Sequence, residues 1–204
     1  MLYITELFIC FILYSFGGWI LEVAYGYIET KKIVNRGFLI GPLCPIYGIG
    51  CVLIYLLLSK FSYNAFLLFF MSCLLCLALE YIVSFVLEKL FKARFWDYKN
   101  MKYNLNGRIC LEMAIPFGIL GLLDVYLFLP YTLKLIENLS HMWIYIIACI
   151  MLVLFLIDGL ISIILITKFK KEELKSDVRD NTIEISDYVK KTLKAFPLKT
   201  KKEN

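Results

Sequence analysis

The chain has 204 residues, of which 61% are hydrophobic, 16% aromatic and 19% charged, with a formal net charge of +5. An ordinary globular chain is about 45–50% apolar and about a quarter charged, and one soluble core of this size could not hide so much apolar surface. Composition therefore excludes a soluble enzyme, a nucleic-acid-binding domain and a disordered chain, and it points to an integral membrane protein.

A transmembrane helix needs about 20 mainly apolar residues. Five stretches qualify: 4–28, 38–59, 64–91, 109–129 and 142–167. None alternates apolar and polar residues as a transmembrane β-strand must. The expected fold is all-α: a polytopic helix bundle with five transmembrane helices over residues 1–168, followed by a basic cytoplasmic tail over 169–204. The first stretch has no basic segment before it and no small-residue cleavage site after it, so it reads as a retained span.

Span 1 carries Ser15, Gly18, Glu22 and Gly26 on one narrow face, because residues three and four apart share a helix face. Small residues let helices approach closely. Glu22 opens the last seven residues of the span, roughly 10 Å deep at 1.5 Å per residue. A carboxylate on such a face points into the bundle.

Span 2 opens with Asn35-Arg36-Gly37, and residues 37–50 hold two prolines and four glycines, including Gly41, Pro42, Pro45 and Gly48. Proline removes a backbone donor and kinks a helix. Irregular backbone at membrane depth is tolerated where it is buried in protein or lines a cavity. The start of span 2 is therefore expected to be bent, broken or re-entrant, with a merely kinked packing helix as the alternative.

Span 3 repeats the stripe pattern with Cys73, Cys76, Glu80, Ser84 and Glu88. Glu80 lies eleven residues from the end of its span, roughly 16 Å deep and near the midplane. Cys73 and Cys76, one turn apart in an apolar stretch, read as small packing residues and not as metal ligands. The seven cysteines imply no disulfide framework, and no metal or other cofactor is expected.

Residues 92–107 are short and aromatic, with Trp96, Tyr98 and Tyr103 expected at headgroup level. Span 4 opens with Asn106-Gly107-Arg108, has Glu112 just inside and Asp124 in its far part, while Asp158 sits within span 5. In the tail, Ile185, Val189, Thr192, Leu193 and Phe196 share one helical face opposite Lys190, Lys191 and Lys194. That pattern suits an interfacial helix on anionic lipid; a docking helix for a partner is the alternative.

Lys and Arg number 20 in the segments after spans 1, 3 and 5, against only Lys60 and Lys134 on the other side. Positive charge marks the cytoplasmic side, so the N-terminus is expected outside and the C-terminus in the cytoplasm. Laid without a gap, Asn35 meets Asn106, Pro45 meets Pro116 and Gly50 meets Gly121. This suggests a duplicated helix hairpin, a device that transporters use.

Ionisable residues inside spans are costly and are paired or functional. Glu22, Asn35, Arg36, Glu80, Ser84, Asn106, Arg108 and Glu112 are the candidate members of a polar cavity open to the cytoplasm. In the plainer reading, the three glutamates pair with Arg36 and Arg108 and only lock the bundle. No Gly-Lys-Ser/Thr phosphate loop is present, so the chain does not hydrolyse ATP by that motif. The single histidine, His141, falls on the outer side, which leaves only carboxylate acid/base chemistry at the cavity. No catalytic residue is assigned.

Several motifs, taken in order, carry a resemblance. They are Tyr14-Ser15-Phe16, Gly18-Trp19 and Glu22; Asn35-Arg36-Gly37-Phe38-Leu39, Gly41-Pro42 and Pro45-Ile46-Tyr47-Gly48. Glu80-Tyr81, Ser84, Leu87-Glu88-Lys89, Phe91 and Phe95-Trp96-Asp97-Tyr98 follow, and then the run from Asn104 to Leu111. The chain resembles the bacterial membrane family called Putative ABC-transporter type IV, the CmpB-type permeases, over roughly residues 10–125. Gly17 departs from the bulky residue expected before Gly18-Trp19. The resemblance implies a cell-membrane permease component. Five spans are few for such a subunit, so transport would need a homo-oligomer or a partner, and either a separate ATPase or ion coupling. The competing readings are a membrane-embedded enzyme or a regulator acting on a lipid or lipid-linked substrate. In the enzyme reading, Glu22, Glu80, Glu112 and Arg108 supply acid, base and anion clamp.

Overall fold

The computed structural model describes residues 2–31, 35, 37–91, 94–173, 187–188 and 191. The expected amphipathic tail face and Arg36 lie outside the described residues, apart from Lys191. Among the described residues the chain runs α1 (Leu2–Thr30), α2 (Pro45–Leu58), α3 (Ala65–Phe91), β1 (Asn104–Leu105), β2 (Ile109–Cys110), α4 (Ala114–Leu123), α5 (Leu129–Glu137) and α6 (His141–Glu173). Short 3-10 turns over Ser59–Phe61 and Leu111–Met113 flank α2 and α4, and a π-turn over Asp124–Phe128 joins α4 to α5.

Four segments are long and apolar enough to cross a membrane: Leu2–Ile28, Ala65–Phe91, Leu111–Glu137 and His141–Lys168. Their outward faces are strongly apolar: Leu152, Val153, Leu154, Leu156 and Ile157 on α6 are all exposed. In a soluble protein such a surface would aggregate; in lipid it is solvated.

Span 2 is the exception. Its helix has only 14 residues, about 21 Å at 1.5 Å per residue. The preceding residues, 37–44, are irregular. Pro45 stands at the first helical turn, where its missing N–H costs nothing. Regular helix therefore begins only where proline is tolerated.

The fourth span runs beyond its expected end at residue 129, to Glu137. Pro130 enters the helix interior, where its ring would strike a carbonyl one turn earlier. The π-turn widens the backbone there, and Leu129 N–H donates to Asp124 O.

The small hairpin departs from an all-α architecture. Leu105 pairs with Ile109 and Asn104 with Cys110, and Arg108 N–H donates to Leu105 O at 3.0 Å. Asn106 (φ 55°) and Gly107 (φ 67°) lie between them. Asn-Gly is the dipeptide that tolerates positive φ at two successive turn positions.

In each helical hairpin a glycine of the second helix sits on a serine of the first. A β-carbon at Gly48 would overlap Ser15 and Phe11, and one at Gly121 would overlap Ser72. Ile9, Cys10, Leu129, Ile136, Ile144 and Ala148 form a core at the N-terminal end of α1. Phe95 and Ile166, packed by Phe38, Phe91 and Trp96, form another at the opposite end. All seven cysteines are free.

Candidate functional site

Both stripes read from helical spacing face inward. On α1, Ser15, Gly18 and Gly26 are buried and Glu22 is half-buried; on α3, Cys73, Glu80 and Ser84 are buried. The two acids are met by tyrosines. Tyr47 Oη, on α2, donates to Glu22 Oε1 at 2.7 Å. Tyr98 Oη, on the loop after α3, donates to Glu80 Oε1 at 2.8 Å. The pairs adjoin: Glu22 interacts electrostatically with both Glu80 and Tyr98, and Tyr98 with Tyr47. Gly18 makes room for the Tyr47 ring, which occupies the place a β-carbon would take.

Glu80 is 6% exposed, and its Oε2 has no hydrogen-bond partner. Tyr98 is fixed from its own backbone, where its N–H donates to Gly107 O at 2.8 Å. Burial, then the neighbouring Glu80 carboxyl, pushes the Tyr98 phenol above the usual tyrosine range. Tyr98 thus remains an O–H donor at neutral pH.

A second polar group lies one to two turns further along α3, from Ser84 to Glu88. Arg108 Nη1 meets Glu88 Oε2 at 2.9 Å, and Arg94 Nε meets the same oxygen at 2.7 Å. Arg108 also donates to Ser84 Oγ at 3.3 Å, and its guanidinium sits over the Tyr81 and Phe85 rings. Asn106 Nδ2 donates to Tyr81 Oη at 3.1 Å. The expected lock between Arg108 and Glu22, Glu80 or Glu112 is therefore replaced by one between Arg108 and Glu88. The reason is reach: the hairpin sets Arg108 beside the last turns of α3, above Glu80. Glu112 is exposed on the 3-10 turn before α4.

The irregular start of span 2 is held by side chains. Asn35 Nδ2 donates to Leu39 O and Ile40 O at 3.0 and 2.9 Å, while its Oδ1 accepts from Trp19 Nε1 at 3.0 Å. Gly41 N–H donates to Asp158 Oδ1 at 3.0 Å, and Ile40 N–H to Ser162 Oγ at 3.0 Å. Asp158 and Ser162, one turn apart on α6, thus satisfy amides that no helix satisfies. Pro42 is exposed beside them.

Sequence reasoning missed Tyr47 and Tyr98 as the acids' partners. Their signal was present: each belongs to a motif in which a tyrosine follows an irregular, Gly- or Asp-containing run. Two shallow clefts, of about 360 Å³ beside Trp19 and Tyr27 and about 220 Å³ between Glu88 and Arg108, are lined by neither Glu22 nor Glu80. Of the two acids, Glu80 is bonded by the Tyr98 loop.

Chemically, the arrangement offers two carboxyls with neutral donors and one free acceptor oxygen. The chain belongs to the family described as Putative ABC-transporter type IV, which matches residues 9–163. No curated protein and no solved structure matches it.

Proposed function

We propose that this member of the family is a permease-like transport component whose solute-facing site is the Glu22–Glu80 cluster, with the Tyr98 loop as its cover on the cytoplasmic side. It crosses the membrane five times, counting the broken span 2, with the N-terminus outside in the cell membrane of a bacterium. Transport needs a separate ATPase subunit or ion coupling, and a homo-oligomer or partner to complete the path. The matched positions Asn35 and Asn106, Pro45 and Pro116, and Gly50 and Gly121 support a duplicated hairpin.

The observation that carries the reading is the Tyr98–Glu80 bond. A buried acid near mid-span is satisfied on one oxygen by a residue of a loop, not by a neighbouring span. A partner on a loop can be withdrawn without repacking the spans, which is what a gated acid needs. Co-purification of the full chain with a separate ATPase, together with solute flux in proteoliposomes, tests it. An ATPase partner or flux that Glu80→Gln abolishes is expected; neither a partner nor flux across a broad solute screen overturns it.

The enzyme reading asks Glu22, Glu80, Glu112 and Arg108 to act together. Arg108 engaged by Glu88 and an exposed Glu112 disfavour that set. An altered lipid profile in a strain lacking the protein would restore it.

A further inference from the structure

Asp124 stands apart from the cluster just described. It is 1% exposed, neither of its carboxyl oxygens has a hydrogen-bond partner, and Ser72 Oγ, fully buried on α3, also lacks one. Asp124 opens the π-turn, a backbone irregularity that recurs at functional sites. The groups that feel its charge come from three helices: Cys10 and Tyr14 on α1, Cys51 on α2 and Cys76 on α3. The Cys51 thiol is the one that interacts with it directly, and a thiol is a weak donor. Tyr14 spends its hydroxyl on Thr132 Oγ1 of α5, at 3.0 Å. No Lys or Arg is among these neighbours, so among the described residues nothing balances a negative charge at this point.

A carboxylate in that setting has three ways to exist: paired with a cation of the protein, bound to a metal ion, or protonated. The first has no candidate among the described residues. The second needs a cage of several oxygens, whereas one carboxyl, one hydroxyl and soft thiols surround the site. No cluster of metal-ligating side chains occurs among the described residues.

We propose that Asp124 is a proton-binding site in the N-terminal half of the bundle, where it is carried as a neutral carboxylic acid. The bound proton turns one carboxyl oxygen into an O–H donor. Cys10, beside Asp124, and Glu22 are twelve residues apart on α1, about 18 Å along the helix. Asp124 therefore lies toward the N-terminal end of α1, away from Glu22. The inference does not depend on what the Glu22–Glu80 cluster carries.

Infrared difference spectroscopy of the full chain in lipid at neutral pH tests it. Wild type minus Asp124→Asn should show the carbonyl band of a protonated carboxyl, shifting when the buffer is exchanged to D2O. A carboxylate band in its place overturns the proposal. Dicyclohexylcarbodiimide, an apolar reagent that modifies protonated carboxyls, gives a second readout on the wild type alone. An adduct on Asp124 is expected by mass spectrometry, forming about tenfold more slowly per pH unit once the acid ionises. No adduct, a pH-independent rate, or protection by sodium but not potassium at fixed pH each overturns it, the last in favour of a metal cation. Neither readout passes through transport, so failure here leaves the proposed function standing.

Discussion

Glu80 decides how the acid cluster responds to substitution, because its partner is a neutral phenol and not an arginine. Removing one member of a buried ion pair costs about 3–5 kcal/mol. Leaving the Tyr98 hydroxyl unpartnered costs about 1–3 kcal/mol. Glu80→Ala should therefore accumulate at reduced level with a lowered thermal midpoint in detergent, and not vanish. Glu80→Gln keeps shape and an acceptor oxygen, so it should accumulate normally and fail to complement a deletion strain. Tyr98→Phe should lower the midpoint by an amount similar to Glu80→Ala, since each breaks the same bond. Adding the two changes should cost little more than either alone, which a double-mutant cycle reads directly.

At the scale of elements, two irregular segments depend on single residues. The start of span 2 hangs on Asp158, which accepts from Gly41 N–H, and a β-carbon at Gly41 would lie 2.6 Å from Asp158 Oδ2. Asp158→Ala leaves that amide without an acceptor where water is scarce. Cys44, 8% exposed at the end of the same segment, should then react with maleimide several times faster, as peptide mapping of the alkylated chain shows. The hairpin depends on Gly107, whose φ of 67° disfavours a β-carbon, and whose β-carbon would strike Asp97. Gly107→Ala should destabilise the loop by about 1–2 kcal/mol. Because Tyr98 hangs from Gly107 O, it should also reproduce the Tyr98→Phe phenotype. A Gly107→Ala variant with full activity and unchanged melting would separate the hairpin from the acid cluster.

For the whole molecule, the described helices form a bundle with one end rich in basic and aromatic side chains and the other apolar. Phe95, Trp96, Arg94 and Arg108 gather at the first end, while Ile9, Leu129, Ile136 and Ile144 gather at the second. In the proposed orientation the charge asymmetry puts the first end in the cytoplasm. A reporter fused after Asn204 should therefore be active only when it is a cytoplasmic reporter. Activity of an extracellular or periplasmic one would reverse the orientation, and with it the assignment of the Tyr98 loop to the inner face.

What the sequence by itself determined is what depends on local composition and helical period. The apolar segments follow from hydropathy: of the five expected, four are long enough to cross a membrane, and the Gly/Pro-rich second yields a 14-residue helix. The family motifs were legible for the same reason, since they are runs of adjacent residues. The Asn106-Gly107 turn was also legible in principle; its place beside a long apolar run hid it within an expected helix. Tertiary structure alone decided the pairings. Whether Glu80 meets Arg108 or Tyr98 depends on where a loop folds back along α3, and no periodicity carries that information. The roles of Asp158 and Asp124 were decided the same way. Both are acids within apolar helices, yet one faces the bare amides of span 2 and is fully used, while the other has only a thiol, a weak donor, beside it and neither oxygen in a hydrogen bond of good geometry. In a membrane the backbone and every polar side chain must find partners inside the protein, so function is set by which partners the packing leaves available.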